Sequence, residues 1–511
     1  MARYLGVEFG STRIKATVID ECYRICASGD YTWQSKFENG VWTYDLQEAK
    51  EGLQCALSGI KGVEGIDAVG ISGMMHGYLA FDKDWNLLVP FRTWQNTMTA
   101  SAAEELTALF GFNVPQRWSI AHLYQAILNG EAHIDKVAHI TTLAGYMHHL
   151  LTDTNVVGIG EASGIFPIDS QGLCYHPDMV QKFNDLLEKR GISWRLEDVL
   201  PGVLVAGQPA GHLTEKGAAL TKNLLPVGTP FAPPEGDAGT GMVATNAIGE
   251  RTGNISAGTS IFSMVVLEKA LDNVYQEIDI VTTPAGKDVA MVHCNNCTTD
   301  SNDWIGVLKQ TAKLFGAEPD TAELYTKLYQ SSLEGDADCG GVLVCNYTAG
   351  EGITHLDAGV PLVMRMQNSR FTLGNLMRAM LYSSIATLKI GMEILENEHV
   401  KIDSLVGHGG LFKTPGVGQK YMAAACNVPI TCMETAGEGG PYGMALLAAF
   451  LLDESETLEA FLENKVFMQA KKQTLYPDAD TVCGFNRYLE NYKKLLEVEQ
   501  KATELLCCTD G

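Results

Sequence analysis

Apolar residues recur in short runs near the start of the chain, and a small hydroxyl-bearing turn separates the first two. Tyr4 to Glu8 has the composition of a buried strand, and the β-branched run Ile14 to Ile19 follows the turn Gly10-Ser11-Thr12. This pattern predicts a hairpin. A P-loop is a different device because it requires a helix after the turn.

A similar pattern returns in the second half of the chain. Asn254 leads into the turn Gly258-Thr259-Ser260, and the apolar run Ile261 to Leu267 follows. The repetition indicates a duplicated unit with a boundary near Ala244 to Arg251, although so short a likeness could also arise by chance.

Segments with helical periodicity alternate with further short strands. The predicted helices are Thr99 to Phe110, Ile140 to Leu151, Met179 to Arg190, Leu373 to Glu396 and Met444 to Leu452. The predicted strands are Asp67 to Ser72, Leu79 to Phe81 and Ser404 to Gly407, with Gly160 to Ile168 as a loop or strand. This alternation is typical of α/β architecture.

The length and net charge of the chain indicate the number of domains and disfavour some classes of binding partner. A chain of 511 residues favours two domains, and a net charge of −24 with a pI near 4.9 disfavours nucleic acid and anionic lipid as partners. The longest apolar run, Met444 to Leu452, is too short to span a bilayer, and no signal-peptide pattern opens the chain. We therefore expect a cytoplasmic protein without membrane segments.

Cysteine usage supports a reducing compartment. The thirteen cysteines are scattered, and Cys294-Asn295-Asn296-Cys297 is the single CxxC pattern. Because a second pair with metal-ligand spacing is missing, a structural zinc site is not expected.

The segment Pro233 to Gly241 carries the most suggestive carboxylate, Asp237, among small residues and prolines. A carboxylate in such a segment can take a proton from a substrate hydroxyl. The alternative is an ordinary solvated turn, since Gly and Asp are common turn residues. The turns at 10–12 and 258–260 offer amides and hydroxyls suited to phosphate, with Glu8 as a candidate magnesium ligand, or they are plain polar turns.

Two further segments carry polar groups suited to a sugar. Gly73 to Gly77 contains Met75 and His76 directly after a predicted strand, and Trp94 lies beside the amide of Asn96. A buried structural histidine and a core tryptophan are the alternatives. Two glycine-rich loops, Gly407 to Gly410 and Gly437 to Gly443, could enclose an adenosine.

The order of these segments resembles the FGGY carbohydrate kinases over nearly the whole chain. The similar segments are Glu8 to Ala16, Gly70 to Gly77, Gly236-Asp237, Ser256 to Ser260, Gly409 to Pro415 with Gln419 and Ala423 to Cys426, and Gly440 to Ala445. The resemblance implies an α/β fold of two ribonuclease-H-like domains of the actin-like ATPase type, with an interdomain cleft. We expect a sugar-side domain at 1–247 and a nucleotide-side domain at 248–511.

The resemblance also implies roles for individual residues, with ATP and Mg²⁺ as cofactors, a sugar as substrate and a homodimer as a possible assembly. Asp237 is the implied catalytic base and, with Glu8, the implied metal ligand. The implied substrate-binding residues are Met75, His76, Trp94, Asn96 and Asp237. The implied nucleotide-binding residues are Ser11, Thr12, Lys15, Gly258, Thr259, Ser260, Gly409, Gly410, Lys413 and Glu438.

Two departures from the family pattern bear on the substrate and the metal. Glu8 stands where the family usually has Asp, and Trp94-Gln95-Asn96 replaces the Trp-Asn-Asp of xylulokinases. The expected reaction is phosphorylation of a terminal hydroxyl of a ketopentose, D-xylulose to D-xylulose 5-phosphate. The alternatives are L-ribulose or another ketose or polyol, a non-catalytic sugar-binding homologue, and an actin-like ATP-binding protein without sugar kinase activity.

Overall fold

The computed structural model describes residues 2–60, 65–433 and 439–507. The strands are β1 Arg3–Phe9, β2 Arg13–Asp20, β3 Ile25–Thr32, β4 Lys36–Glu38, β5 Val41–Thr43, β6 Ala68–Gly73, β7 Leu79–Phe81, β8 His139–Thr141, β9 Val156–Gly158, β10 Ile168–Asp169, β11 Cys174–Tyr175, β12 Gly202–Leu204, β13 Glu235–Gly236, β14 Thr252–Ala257, β15 Ile261–Val266, β16 Ile278–Thr282, β17 Asp288–Cys294, β18 Val342–Cys345, β19 Leu362–Arg365, β20 Ser404–Gly409, β21 Ile430–Met433 and β22 Lys472–Leu475.

The helices are α1 Leu46–Gly59, α2 Ala100–Phe110, α3 Ser119–Leu128, α4 Leu143–Thr152, α5 Ile159–Ala162, α6 Pro177–Lys189, α7 Leu196–Val199, α8 Glu215–Leu220, α9 Asp237–Ala244, α10 Thr299–Leu314, α11 Thr321–Ser331, α12 Leu373–Asn397, α13 Gly418–Cys426, α14 Gly440–Phe450, α15 Leu458–Phe461 and α16 Ala479–Leu506. Every helix in the described part of the chain is too short or too polar to span a bilayer.

The chain forms two compact units that are discontinuous in sequence. The first comprises Met1–Glu250, Val274–Val289 and Glu438–Ala470, and the second comprises Arg251–Asn273, Ala290–Gly437 and Lys471–Gly511. Two segments from the second half of the chain therefore pack with the first unit. The functional division at 247 and 248 stays a prediction.

The first unit is built on a five-stranded sheet in the order β13-β6-β1-β2-β3. β1 pairs antiparallel with β2 and parallel with β6, and β13 extends the parallel side. Leu5, Val7 and Phe9 are buried in the main core of this unit. α14 packs closely on this sheet because glycines face it: a Cβ on Gly6 would overlap the carbonyl oxygen of Pro441.

The second unit repeats this strand order. The order β17-β15-β14-β20-β21 in this unit matches β3-β2-β1-β6-β13 of the first sheet, and β22 is an additional strand beyond β21. The hairpin β14–β15 therefore corresponds to β1–β2. β20 pairs parallel with β14 as β6 does with β1. The duplication predicted from the two turns is thus confirmed in the sheet topology.

Three predicted elements differ from the structure. Ile140 to Leu151 is not one helix, because Thr142 caps a helix start by accepting the Gly145 N–H, and β8 precedes it. Gly160 to Ile168 contains the end of the short helix α5. The helix predicted from Met444 begins at Gly440, with Pro441 in its first turn, where a missing N–H costs no helical hydrogen bond.

Candidate active site

Asp237 lies where the parallel side of the first sheet ends. β13 runs directly into α9, so Asp237 opens this helix after the N-cap Gly236. The Met75 N–H donates to Asp237 Oδ1 at 3.1 Å, and Met75 follows the neighbouring strand β6. The predicted base and the predicted sugar-binding segment therefore meet within one unit.

The side chain of Asp237 is exposed, although the surrounding protein removes part of the water around its carboxyl group. Removal of water by this surrounding protein raises the pKa of Asp237, whereas the N–H groups of Met75 and Ala238 act in the opposite direction. The raised pKa makes the carboxylate a better proton acceptor than an ordinary aspartate.

Glu8 lies on β1 opposite Lys15 of β2. Burial, reinforced by the negative charge of Asp237, raises the pKa of Glu8 to about 8, and Lys15 lowers it. A Cβ on Gly440 would overlap Glu8 Oε2, and a Cβ on Gly10 would lie 3.1 Å from Oε1. The side chain of Glu8, which is one methylene longer than aspartate, therefore occupies the space that a side chain at Gly440 would fill.

The first hydroxyl-bearing turn is anchored by aromatic side chains. Tyr44 Oη donates to the Ser11 carbonyl at 2.8 Å, and Trp33 Nε1 donates to the Gly10 carbonyl at 2.7 Å. Ser11 is half-buried and Thr12 is exposed. With two carbonyl groups held by these donors, the turn has a fixed backbone, as a phosphate-binding turn requires.

The segment carrying His76 has an unusual backbone. His76 and Gly77 both adopt left-handed conformations, with φ of 71° and 88°. The Gly77 N–H donates to the Arg117 carbonyl at 3.2 Å, and the His76 ring stacks on Trp118 at 6.3 Å between centroids. A bulky residue in this conformation is a feature that clusters at functional sites.

Trp94 and Asn96 have different surroundings. Trp94 is 40% exposed, as a stacking surface would be, whereas Asn96 is buried. Asn96 Oδ1 accepts the Trp42 N–H at 2.9 Å, and Nδ2 donates to the carbonyls of Trp42 and Thr93 at 2.8 and 3.0 Å. The amide of Asn96 thus fastens the β4–β5 hairpin. The predicted contact of Asn96 with a sugar stays a prediction, and these hydrogen bonds do not support it because they already use the amide.

Replacement of Asn96 by Asp, the residue found at the matching position of the xylulokinase pattern, tests this fastening role. The carboxylate would face two carbonyl oxygens in place of an amide donor, so we expect the free energy of unfolding to fall by about 1–3 kcal/mol. Asn39→Asp is the matched control, since Asn39 is exposed in the same hairpin. Urea unfolding measures both variants, and equal stability of the two would contradict the fastening role.

Two buried carboxyls beside Asp237 were not identified as site residues from the sequence. Glu235 accepts the N–H groups of Gly160 and Glu161 at 3.3 and 2.9 Å, and burial raises its pKa to about 8. Glu161 is fully buried, which raises its pKa well above the usual range. A Cβ on Gly236 would lie 2.5 Å from Glu161 Oε2. No local pattern marks a glutamate as buried, so only the fold brings these acids together.

His122 lies behind the sugar-side segment, stacked on Tyr78 at 6.2 Å between ring centroids. It is fully buried, and neither ring nitrogen has a hydrogen-bond partner among the described residues. Burial, with a smaller effect of Arg92, lowers the pKa of His122 from 6.5 to about 3.

This shift predicts a pH dependence of stability. Because the folded-state pKa lies below the unfolded value, the contribution is complete above pH 6.5 and is lost as pH falls from 6.5 towards 3. We expect wild type to lose up to about 1.4 kcal/mol per pH unit relative to His122→Phe in this range. Urea unfolding of both proteins from pH 7 to pH 4 measures the difference, and a difference that is constant with pH would contradict the assignment.

In the second unit, the predicted phosphate and adenosine segments meet at adjacent strand ends. The turn Gly258–Ser260 joins β14 to β15, and Ala257 is paired with Gly409 of β20. Gly409 has φ of 97°, and a Cβ there would overlap the Ala257 carbonyl. Gly410 and Lys413 are exposed beside this pair of strand ends, and Thr259 is exposed in the turn. Glu438 lies outside the described residues.

Glu8 and Asp237 are the predicted magnesium ligands. Mg²⁺ binds proteins through one or two carboxylates and takes its remaining oxygens from water and phosphate. Glu8 and Asp237 supply two carboxylates whose charges interact. Among the described residues, no group of three or more His, Cys, Asp or Glu side chains could hold a metal ion by itself. This donor set fits a magnesium ion that arrives with nucleotide phosphates.

Two sheets of the same strand order, each with a small hydroxyl-bearing turn in its first hairpin, define an α/β protein of the ribonuclease-H-like, actin-like ATPase class. The sequence pattern of the FGGY family of carbohydrate kinases, N-terminal domain, matches residues 3–243, and that of its C-terminal domain matches residues 253–452. The chain therefore belongs to the FGGY family and is a carbohydrate kinase with the two-domain FGGY fold.

Several proteins that are similar to this chain in sequence or structure are also sugar kinases. The xylulose kinase of Haemophilus influenzae is 23% identical, with 96% of this chain and 98% of that protein covered. The crystal structure of a xyloylose kinase from Brucella ovis has a TM-score of 0.78 at 19% identity and covers 97% and 99% of the two chains. A gluconate kinase from Lactobacillus acidophilus reaches 0.79 at 16% identity, covering 97% and 98%. At these identities the structural likeness shows the fold and leaves the sugar open.

Proposed function

We propose that this protein transfers the γ-phosphoryl group of ATP to the terminal hydroxyl of a ketopentose, with D-xylulose as the first candidate and L-ribulose as the second. The observation that carries the proposal is the hydrogen bond between the Met75 N–H and Asp237 Oδ1 at 3.1 Å, which joins the base to the sugar-side segment. The xylulose kinase relatives over nearly the full chain support D-xylulose.

Asp237 acts as the general base in this proposal. The sugar hydroxyl loses its proton to the Asp237 carboxylate as its oxygen attacks the γ-phosphorus, and ADP leaves. Met75 fixes one carboxylate oxygen through its N–H, and Met75 and His76 orient the sugar. Phosphoryl transfer needs little covalent assistance, so positioning and charge neutralisation supply most of the rate.

Nucleotide-binding residues are proposed in each of the two units. Ser11, Thr12 and Lys15 in the first unit, and Gly258, Thr259 and Ser260 in the second, are proposed to bind phosphate through amides, hydroxyls and charge. Gly409, Gly410 and Lys413 are proposed to line the adenosine. Glu8 and Asp237 would hold Mg²⁺, which neutralises phosphate charge when bound. A cytoplasmic location and a homodimer stay predictions.

A panel of sugars tests the substrate assignment. ADP release is coupled to NADH oxidation, and kcat/KM is measured for D-xylulose, L-xylulose, D-ribulose, L-ribulose, gluconate and glycerol. We expect a ketopentose to exceed gluconate and glycerol by at least about tenfold in kcat/KM. A preference for gluconate or glycerol would overturn the ketopentose assignment and leave the kinase class intact.

A further inference from the structure

The CxxC segment Cys294–Cys297 has no part in the proposed reaction, and its cysteines are not reactive. Both are free, buried thiols. Burial raises the pKa of Cys294 well above its usual range and that of Cys297 to about 12. Neither thiol is therefore ionised at neutral pH. The contacts of this segment are made instead by the side chains of Asn296 and Thr298 and by the backbone of Cys297.

Asn296 is the centre of a buried polar network in the second unit. Its Oδ1 accepts the N–H groups of Thr348 and Ala349 at 2.9 and 3.1 Å. Its Nδ2 donates to the Ala349 carbonyl at 3.1 Å and to Glu351 Oε2 at 3.0 Å. Both donors and both acceptor positions of the amide are thus used, and Asn296 is only 2% exposed.

The two residues after Asn296 hold the second phosphate turn. The Cys297 N–H donates to the Thr259 carbonyl at 3.0 Å. Thr298 donates twice to the Gly258 carbonyl, through its N–H at 3.2 Å and its Oγ1 at 2.8 Å. These three bonds fix two consecutive carbonyls of the turn and thereby the orientation of its peptide groups.

The same segment is anchored on its other side to α12. The Cys297 carbonyl accepts Asn346 Nδ2 at 2.7 Å and Ser384 Oγ at 2.8 Å. Ser383 Oγ donates to Asn346 Oδ1 at 2.9 Å, and all three of these side chains are buried. Residues 296–298, which we call the clamp, thus connect the turn to α12.

We propose that Asn296 is a positioning residue for nucleotide binding, because its amide sets the clamp that orients the turn Gly258–Ser260. The inference rests on the proposed function, in which that turn binds ATP phosphates. Asn296 itself acts through Cys297 and Thr298 and does not touch the nucleotide.

The test compares two adjacent asparagines. Asn296→Ala removes the buried amide, whereas Asn295→Ala removes an exposed amide that donates to the Gly350 carbonyl of the same neighbouring loop. The dissociation constant of ADP is measured by calorimetry, and the KM of the preferred ketose by the coupled assay. We expect ADP to bind about tenfold more weakly to Asn296→Ala, with less than about twofold change in Asn295→Ala and in the ketose KM of both variants.

A pair of charge-changing variants distinguishes a positioning role of Asn296 from a general loss of protein stability. Asn296→Asp replaces the donating amide nitrogen with a carboxylate oxygen that faces the Ala349 carbonyl and Glu351 Oε2, so it should weaken ADP binding. Glu351→Gln in that background removes one of these two repulsions and should recover part of the affinity. Recovery of ADP affinity in the double variant supports the clamp, and this pair decides the matter if Asn296→Ala does not fold. Failure to recover, or unchanged ADP affinity in Asn296→Ala, overturns the clamp. If wild type itself binds no ADP, the proposed function fails instead.

Discussion

Asp237→Asn should lower kcat by a factor of about 10²–10⁴ and leave ketose affinity nearly unchanged, which is the usual effect of removing a general base. The amide keeps the size of the side chain, and its oxygen can still accept the Met75 N–H. What it loses is the ability to take the proton of the attacking hydroxyl. Steady-state kinetics with ATP and the preferred ketose measure kcat, and tryptophan fluorescence measures sugar affinity.

The matched control is Asp178→Asn. Asp178 also lies in the first turn of a helix, α6, but is exposed and distant in sequence from the site. We expect wild-type kcat for this variant. A kcat within about threefold of wild type for Asp237→Asn would show that another group takes the proton.

Gly440→Ala should lower kcat by about 10²-fold, because a misplacement of about 1 Å in a catalytic group can cost that much. The new Cβ would overlap Glu8 Oε2, so the carboxylate must leave its position between Gly10 and Gly440. Steady-state kinetics over a range of Mg²⁺ concentrations measure the loss.

The spacing around these glycines also provides a control variant and a second-site variant that should restore activity. Gly241→Ala places a methyl group on α9 where no described atom outside the adjacent residues and the helix's own backbone lies within 4 Å, so activity should be retained. Glu8→Asp in the Gly440→Ala background shortens the carboxylate side chain and should recover part of kcat. Equal activities of the single and double variants would contradict the steric pairing of Glu8 with Gly440.

The sequence predicted the parts of the fold that local chemistry determines. Small residues between two apolar runs specify a tight turn whatever lies elsewhere, so both hairpins and their repetition could be found. The Met75 segment and Asp237 were predicted separately, and the parallel pairing of β6 and β13 brings them together.

The remaining features depend on contacts between distant segments. Nothing near Asn96 indicates that its amide bonds Trp42, 54 residues earlier in the chain. Glu235 and Glu161 are 74 residues apart, and each looks like an ordinary surface acid until the fold buries it. The role of Asn296 likewise depends on the loop from Thr348 to Glu351, which is distant in sequence and surrounds its amide.

The central claim is phosphoryl transfer to a sugar hydroxyl rather than to water. Purified protein is incubated with ATP, Mg²⁺ and D-xylulose or L-ribulose, and the products are followed by phosphorus NMR and mass spectrometry. We expect ADP and a single sugar monoester, phosphorylated on the terminal carbon, in equal amounts. Equal amounts of ADP and inorganic phosphate, formed at the same rate with and without sugar, would contradict this claim.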